Sequence, residues 1–171
     1  MSGSLPSGIE KPTLLLDSRR AMSNIATMAN KARKSGVRFR PHFKTHRSAR
    51  IGECYRDFGV EAITVSSADM ARYFAQHGWD DIMLAFSINL RELKKIDRLA
   101  REIRLGVLVE STEAVQHVAQ NLESTAEEWI KIDVGYGRTG IAWDRAGAVV
   151  GLAQAIEGSS QLRFRGPLVH Q

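Results

Sequence analysis

The chain has 171 residues, 43% of them hydrophobic and 25% charged, with a formal net charge of +5. These fractions are those of an ordinary globular protein and exclude a disordered, collagenous or disulfide-built chain. No apolar run reaches the roughly 18 to 20 residues of a membrane span, and a single cysteine, Cys54, builds neither an internal disulfide nor a zinc knuckle, so the expected setting is cytoplasmic.

Residues 1–11 are polar and rich in Gly, Ser and Pro, and read as a flexible leader rather than a secretory signal. Thr13-Leu14-Leu15-Leu16 reads as a short strand. Ser18 is the expected cap of a helix that sets Met22, Ile25, Met28, Ala29 and Ala32 on one face, and Gly36 closes it in a left-handed conformation. Residues 37–42 are extended, because Pro41 forbids helix there. A helix over residues 47–57 follows, then a β-branched strand over 62–65. Ser67 caps a helix with Met70, Phe74 and His77; residues 82–85 form a strand. Asn89 caps the helix of Leu90, Leu93, Ile96 and Leu99, before a strand over 105–109. Ser111 caps the helix of Val115, Val118, Ala119 and Leu122; residues 129–134 form a strand. Asp144 caps the helix of Val149, Leu152, Ala153 and Ile156, and residues 162–168 form the last strand. Strands and helices that alternate in this way predict parallel strands with crossover helices. An open doubly wound sheet and a (β/α) barrel both fit; the lack of a Gly-x-Gly-x-x-Gly after the first strand weighs against a dinucleotide fold.

Charge is unevenly distributed. Residues 18–52 hold ten Lys and Arg and no Asp or Glu. Such a window can face nucleic acid, an anionic membrane or one small anionic ligand, or simply form a solvated face. Within it lies Arg40-Pro41-His42-Phe43-Lys44-Thr45-His46, just after a strand, where parallel α/β folds collect their ligands. A lysine with cationic neighbours there is a candidate for Schiff-base chemistry; the plainer reading is a surface lysine. His42 and His46 stand four apart, but Pro41 opposes the helix that would make them metal ligands, and no carboxylate lies nearby.

The second segment is Lys131-Ile132-Asp133-Val134-Gly135-Tyr136-Gly137-Arg138-Thr139-Gly140. Its glycines permit close approach to a ligand and let Arg138 point back over the strand ends, where a guanidinium suits a phenolate oxygen, a ring nitrogen or a phosphate. The plainer reading pairs Arg138 with Asp133.

Together the two segments resemble closely the alanine-racemase-type N-terminal barrel of fold-type III pyridoxal-phosphate enzymes, and within it the D-threonine aldolase and D-serine dehydratase branch. The resemblance runs from about Pro12 to His170 and includes Pro12-Thr13-Leu14-Leu15-Leu16-Asp17, Ile63-Thr64-Val65, Asp80-Asp81-Ile82 and Arg163-Phe164-Arg165-Gly166. It implies an α/β fold, a (β/α)8 TIM-type barrel with about six of its eight strands, preceded by a short N-terminal strand. The implied organisation is a leader over 1–11 and a barrel domain over 12–171 that binds pyridoxal 5'-phosphate, without the C-terminal part and β-domain of the family. Lys44 would form the internal aldimine and later move a proton at the substrate α-carbon. Arg138 would hydrogen-bond the cofactor ring, and His42 would sit beside it. The implied activity is retro-aldol cleavage or dehydration of a small D-3-hydroxy amino acid. Racemisation and cofactor carriage without chemistry are the alternatives within the fold, and a nucleic-acid module built on residues 18–52 is the alternative outside it. A divalent metal is expected only in full-length members, with no ligand in this chain, as is a homodimer; neither nucleic acid nor membrane is an expected partner. The expectation for this chain is a fragment that keeps the lysine and the arginine and lacks the rest of the active site.

Overall fold

The structure, a computed structural model, describes residues 8–170, so most of the expected leader lies outside the described residues. The elements are α1 (Ser18–Lys34), α2 (Ala49–Arg56), β1 (Ile63–Val65), α3 (Ala68–Ala75), β2 (Asp81–Ser87), α4 (Leu93–Glu102), β3 (Arg104–Val109), α5 (Thr112–Asn121), β4 (Ala126–Asp133), β5 (Ile141–Ala142), α6 (Ala146–Glu157) and β6 (Leu162–Val169). The ladder runs β1-β2-β3-β4, with β6 beside β4 and the short β5 on the end of β4, all pairs parallel. Ahead of β1, the Thr64 amide donates to the Pro41 carbonyl at 2.8 Å and His42 bridges Thr64. The expected strand over 37–42 is thus present as one bridge on the edge of the sheet. Among the described residues β6 pairs only with β4, so the sheet does not close: it is an unfinished (β/α) barrel.

Capping hydroxyls and amides start the helices where the sequence places them. Ser67 accepts from the Met70 amide and Ser111 from Ala114, while Asn89 accepts from Arg91 and caps a 3-10 turn, Leu90–Glu92, that leads into the uncapped start of α4. Two caps differ. Helix α1 begins at Ser18, and the carboxylate of Asp17 accepts from the Arg20 amide; a negative charge there also suits the helix dipole. Helix α6 starts after Arg145 without a side-chain cap, so Asp144 does not serve. The apolar run Thr13–Leu16 finds no strand to pair with, and Leu14 is 95% exposed.

Alternation along the strands divides the residues between two faces. Ile63, Val65, Ile82, Leu84, Leu105, Val107, Ile130 and Ile132 bury against Phe74, Ile96, Leu99, Val115, Val118, Leu152 and Ile156 of the covering helices. The opposite face lines the barrel. There a Cβ on Gly106 would stand 2.8 Å from Met83 Cε and 3.4 Å from Trp129 Nε1, so the Met83 thioether lies against the glycine and would have to move for any larger residue. Below them lies a floor of charge: Arg38 and Arg40 pair with Asp81, Arg104 with Asp81 and Glu127, and Arg165 with Glu127. Arg165 reaches Glu127 from a bulge. The register passes from Glu128↔Phe164 to Trp129↔Gly166, which leaves Arg165 as an extra residue, and Gly166 turns the chain at φ +135°. Pro167 stands opposite Ile130 in this strand of the free edge, where a missing N–H is tolerated.

Candidate active site

Lys44 is fixed from behind. It lies in a 3-10 turn, Phe43–Thr45, whose first residue is fully buried. The Phe43 ring meets Trp79 edge-on at 5.2 Å, Phe74 at 5.0 Å and Tyr55 at 5.1 Å between centroids. A Cβ on Gly52 would come within 3.1 Å of the same ring, so α2 presses closely on it. With its neighbour anchored, Lys44 stays at the exposed rim. Its amide donates to His42 Nδ1 at 3.2 Å, which leaves the ring proton of a neutral His42 on Nε2. Burial, then the charges of Lys44 and His170, hold the His42 imidazolium down to a pKa of about 4, so the ring is neutral at physiological pH.

The second segment closes on the end of β4. The carboxylate of Asp133 accepts from the amides of Gly135 at 3.0 Å, Tyr136 at 2.8 Å and Gly137 at 3.0 Å. Those amides, Gly137 foremost, hold its carboxyl below the usual carboxylate range. Gly140, at φ +115°, lies so near β4 that a Cβ would stand 2.9 Å from the Asp133 nitrogen. Asp133 is therefore engaged by its own loop and does not pair with Arg138. The Arg138 guanidinium lies 5.6 Å from the centroid of the Phe86 ring and makes no ion pair among the described residues.

Both segments face one cavity of about 490 Å³ at the C-terminal end of the strands, within the size range of small-molecule sites. Lys44, His42 and Arg138 all line it, with Arg40, Phe86, Lys131, Tyr136 and His170. Arg40 is a cationic neighbour of Lys44 in the first motif; the other four carry no assigned role in the sequence. Lys131 had a signal, its place one step inside the second motif. Phe86 and His170 had none, since an aromatic or a histidine at a strand end marks no chemistry alone. Lys131 is 9% exposed; its Nζ donates to the Ile132 carbonyl at 3.1 Å and, like that of Lys44, meets no carboxylate among the described residues. The Tyr136 and His170 rings meet edge-on at 5.6 Å. Lys44, Lys131 and Arg138 thus share a cavity whose lining acid, Asp133, is bound to backbone amides. That donor set favours an anionic ligand and offers a primary amine to an electrophilic carbon. Pyridoxal phosphate, an anionic aldehyde with acceptor atoms on its ring, fits these groups.

The basic window of residues 18–52 does not form one contact surface. Arg38 and Arg40 are engaged in the floor, Lys44 faces the cavity, and Lys31, Arg33 and Lys34 sit in the last turn of α1, where they complement its dipole. Among the described residues no group of three or more His, Cys, Asp or Glu is placed to hold a metal, and no helix is long and apolar enough to cross a membrane.

The profile of the family described as "Alanine racemase, N-terminal domain" matches residues 16–171. The chain is 30% identical to D-threo-3-hydroxyaspartate dehydratase of Delftia sp. (strain HT23), over 95% of this chain and 43% of that protein. It is 31% identical to 3-hydroxy-D-aspartate aldolase of Paracoccus denitrificans, over 96% of this chain and 44% of the relative. The solved structure of the Delftia dehydratase superposes with a TM-score of 0.88 at 30% identity, over 95% of this chain and 44% of that one. The chain spans less than half the length of these relatives.

Proposed function

The chain belongs to the alanine racemase N-terminal domain family, and from that premise we propose that residues 12–171 form the pyridoxal 5'-phosphate-binding barrel of a cytoplasmic lyase. Its substrate is a small D-3-hydroxy amino acid, cleaved by a retro-aldol reaction or dehydrated, in an enzyme that is homodimeric at full length. The observation that carries this reading is the meeting of Lys44 and Arg138, distant in sequence and both without acidic partners among the described residues, on one cavity. The names of the relatives supply the substrate class: a dehydratase and an aldolase of 3-hydroxyaspartate.

Bound here, the cofactor supplies an aldehyde for an amine and an electron-withdrawing ring that weakens bonds at an amino-acid α-carbon. Lys44 Nζ would be the amine that holds it, and the base that moves the proton at the α-carbon. Arg138 orients the ring. A guanidinium donates and never accepts, so it would meet the phenolic oxygen or the ring nitrogen as an acceptor. Held at the nitrogen, the ring would be a limited electron sink, enough for retro-aldol cleavage or racemisation. His42 contributes a neutral Nε2–H beside the ring without adding a cation. Lys131 and Arg138 raise the local positive potential that draws in phosphate and carboxylate.

The test is covalent capture. The chain is incubated with pyridoxal phosphate, reduced with borohydride and mapped by peptide mass spectrometry. The adduct is expected on Lys44 and absent from Lys44→Ala; an adduct that persists in Lys44→Ala, or none in the parent chain, overturns the reading. Incubation of the captured-competent chain with D-threonine and D-threo-3-hydroxyaspartate then separates aldehyde release, ammonia release, racemisation and cofactor carriage without chemistry.

A further inference from the structure

Strand β2 has a flaw placed at the site. Its register against β3 runs from Met83↔Gly106 to Ser87↔Leu108, four steps on one strand against two on the other. The ladder resumes when the Ile88 amide donates to the Leu108 carbonyl at 3.0 Å. Regular alternation would send Ala85 and Phe86 to opposite faces. Here both line the same cavity, and Phe86 also borders a second hollow beside Leu84 and Ile96, so the irregular stretch leaves the ring at the lip of the strand.

The product is an unusual aromatic. Phe86 is 51% exposed and pairs with no other aromatic ring among the described residues, while Phe43 and Phe74 are fully buried in an aromatic cluster. The charged group over it is Arg138, at 5.6 Å from the ring centroid. Among the described residues Arg138 has no carboxylate to hold it, since Asp133 is engaged by Gly135, Tyr136 and Gly137. A carboxylate would fix the guanidinium but neutralise it and occupy its donors. An aromatic face fixes it from one side through the ring quadrupole, keeps its charge, and leaves the in-plane N–H groups free.

We propose that the β2 bulge exists to set Phe86 under Arg138, and that Phe86 is the positioning residue that presents the guanidinium to the cavity. The inference about the cofactor rests on the function proposed above; the inference about Arg138 does not.

The experiment therefore has two arms on the whole chain. In the first, without cofactor, the Arg138 Nε–H resonance is identified by its loss in Arg138→Lys in ¹⁵N-arginine spectra. Expected is a ring-current shift that collapses in Phe86→Leu and returns in Phe86→Trp, with other arginine resonances unmoved. A resonance indifferent to Phe86→Leu overturns the proposal whether or not the chain binds pyridoxal phosphate. In the second arm, cofactor affinity is measured by equilibrium titration. Phe86→Leu is expected to weaken it about two- to five-fold, the range of an exposed cation–π contact, Phe86→Trp to restore it, and Phe86→Leu to have no further effect in an Arg138→Ala background. An equal loss in both backgrounds means that the ring acts apart from Arg138, and refutes the positioning role. A parent chain that binds no cofactor defeats the functional reading and leaves the first arm to decide this one.

Discussion

The two ends of the barrel use the same cationic side chains in opposite ways. At the N-terminal floor, Arg38, Arg40, Arg104 and Arg165 converge on Asp81 and Glu127, so each cation has a carboxylate. At the C-terminal rim, Lys44, Lys131 and Arg138 surround a cavity and have none among the described residues. Charge that the protein neutralises for itself holds strands together. Charge that it leaves unneutralised around a cavity is held for something that arrives. The contrast is the physical form of the rule that barrels are stabilised at one end and react at the other.

Exchange of one charge at each end tests it. Asp81→Asn removes the acid shared by Arg38, Arg40 and Arg104, two of which are half-exposed. Loss of one partner of a buried ion pair costs 3–5 kcal/mol, and water reaching the half-exposed arginines lowers this to about 3 kcal/mol, read by urea unfolding. Arg138→Ala is expected to leave the urea midpoint where it was and to weaken cofactor binding about ten-fold or more, as for a charge-assisted hydrogen bond. A rim variant that unfolds as easily as the floor variant would erase the distinction.

Glu127 and Glu128 sharpen the comparison, for they are neighbours in sequence and opposites in the fold. Glu127 faces the barrel and two arginines; Glu128 faces the helices, fully buried, and neither carboxyl oxygen has a partner. Burial pushes its pKa from 4.5 up to about 8. The folded protein thus holds the proton more tightly than the unfolded chain. The ionisation cost of Glu128 is nil below about pH 4.5, grows as pH rises towards 8, and is complete above it. Relative to the parent, Glu128→Gln is expected to gain about 4 kcal/mol of stability between pH 4 and pH 8. A gain that is equal at both pH values would show that Glu128 is not buried as an acid.

The same pair explains what was legible in the sequence. Apolar strands that face helices stand out as runs, and β1, β2 and β3 fall within a few residues of their expected bounds. Strand β4 begins at Ala126 rather than 129, because Glu127 and Glu128 read as loop until a barrel interior and an orphan carboxyl account for them. Lys44, His42 and Arg138 were legible because their motifs sit after strands, where a parallel fold gathers them. Phe86 was not, since a bulge leaves no mark in the hydrophobic pattern. Nor was the engagement of Asp133, which rests on backbone amides and so has no partner residue to read.

Asp133 gives the smallest expected effect and the finest test. Its carboxylate ties amides of its own loop and holds no other element, so its loss should loosen Arg138 without loosening the fold. Asp133→Asn keeps an acceptor but loses the charge, and is expected to weaken cofactor binding a few-fold with no change in thermal midpoint. Because its folded pKa is depressed, the clasp is complete above the ordinary carboxylate range and is lost only as pH falls through the lower folded value. The Arg138 resonance should therefore hold its position as pH falls through 4 in the parent chain and sit displaced at every pH in Asp133→Asn. Were the two spectra to coincide, the loop would be held by its glycines and by β5 alone, and the rim would owe its free arginine to backbone geometry rather than to a carboxylate turned aside.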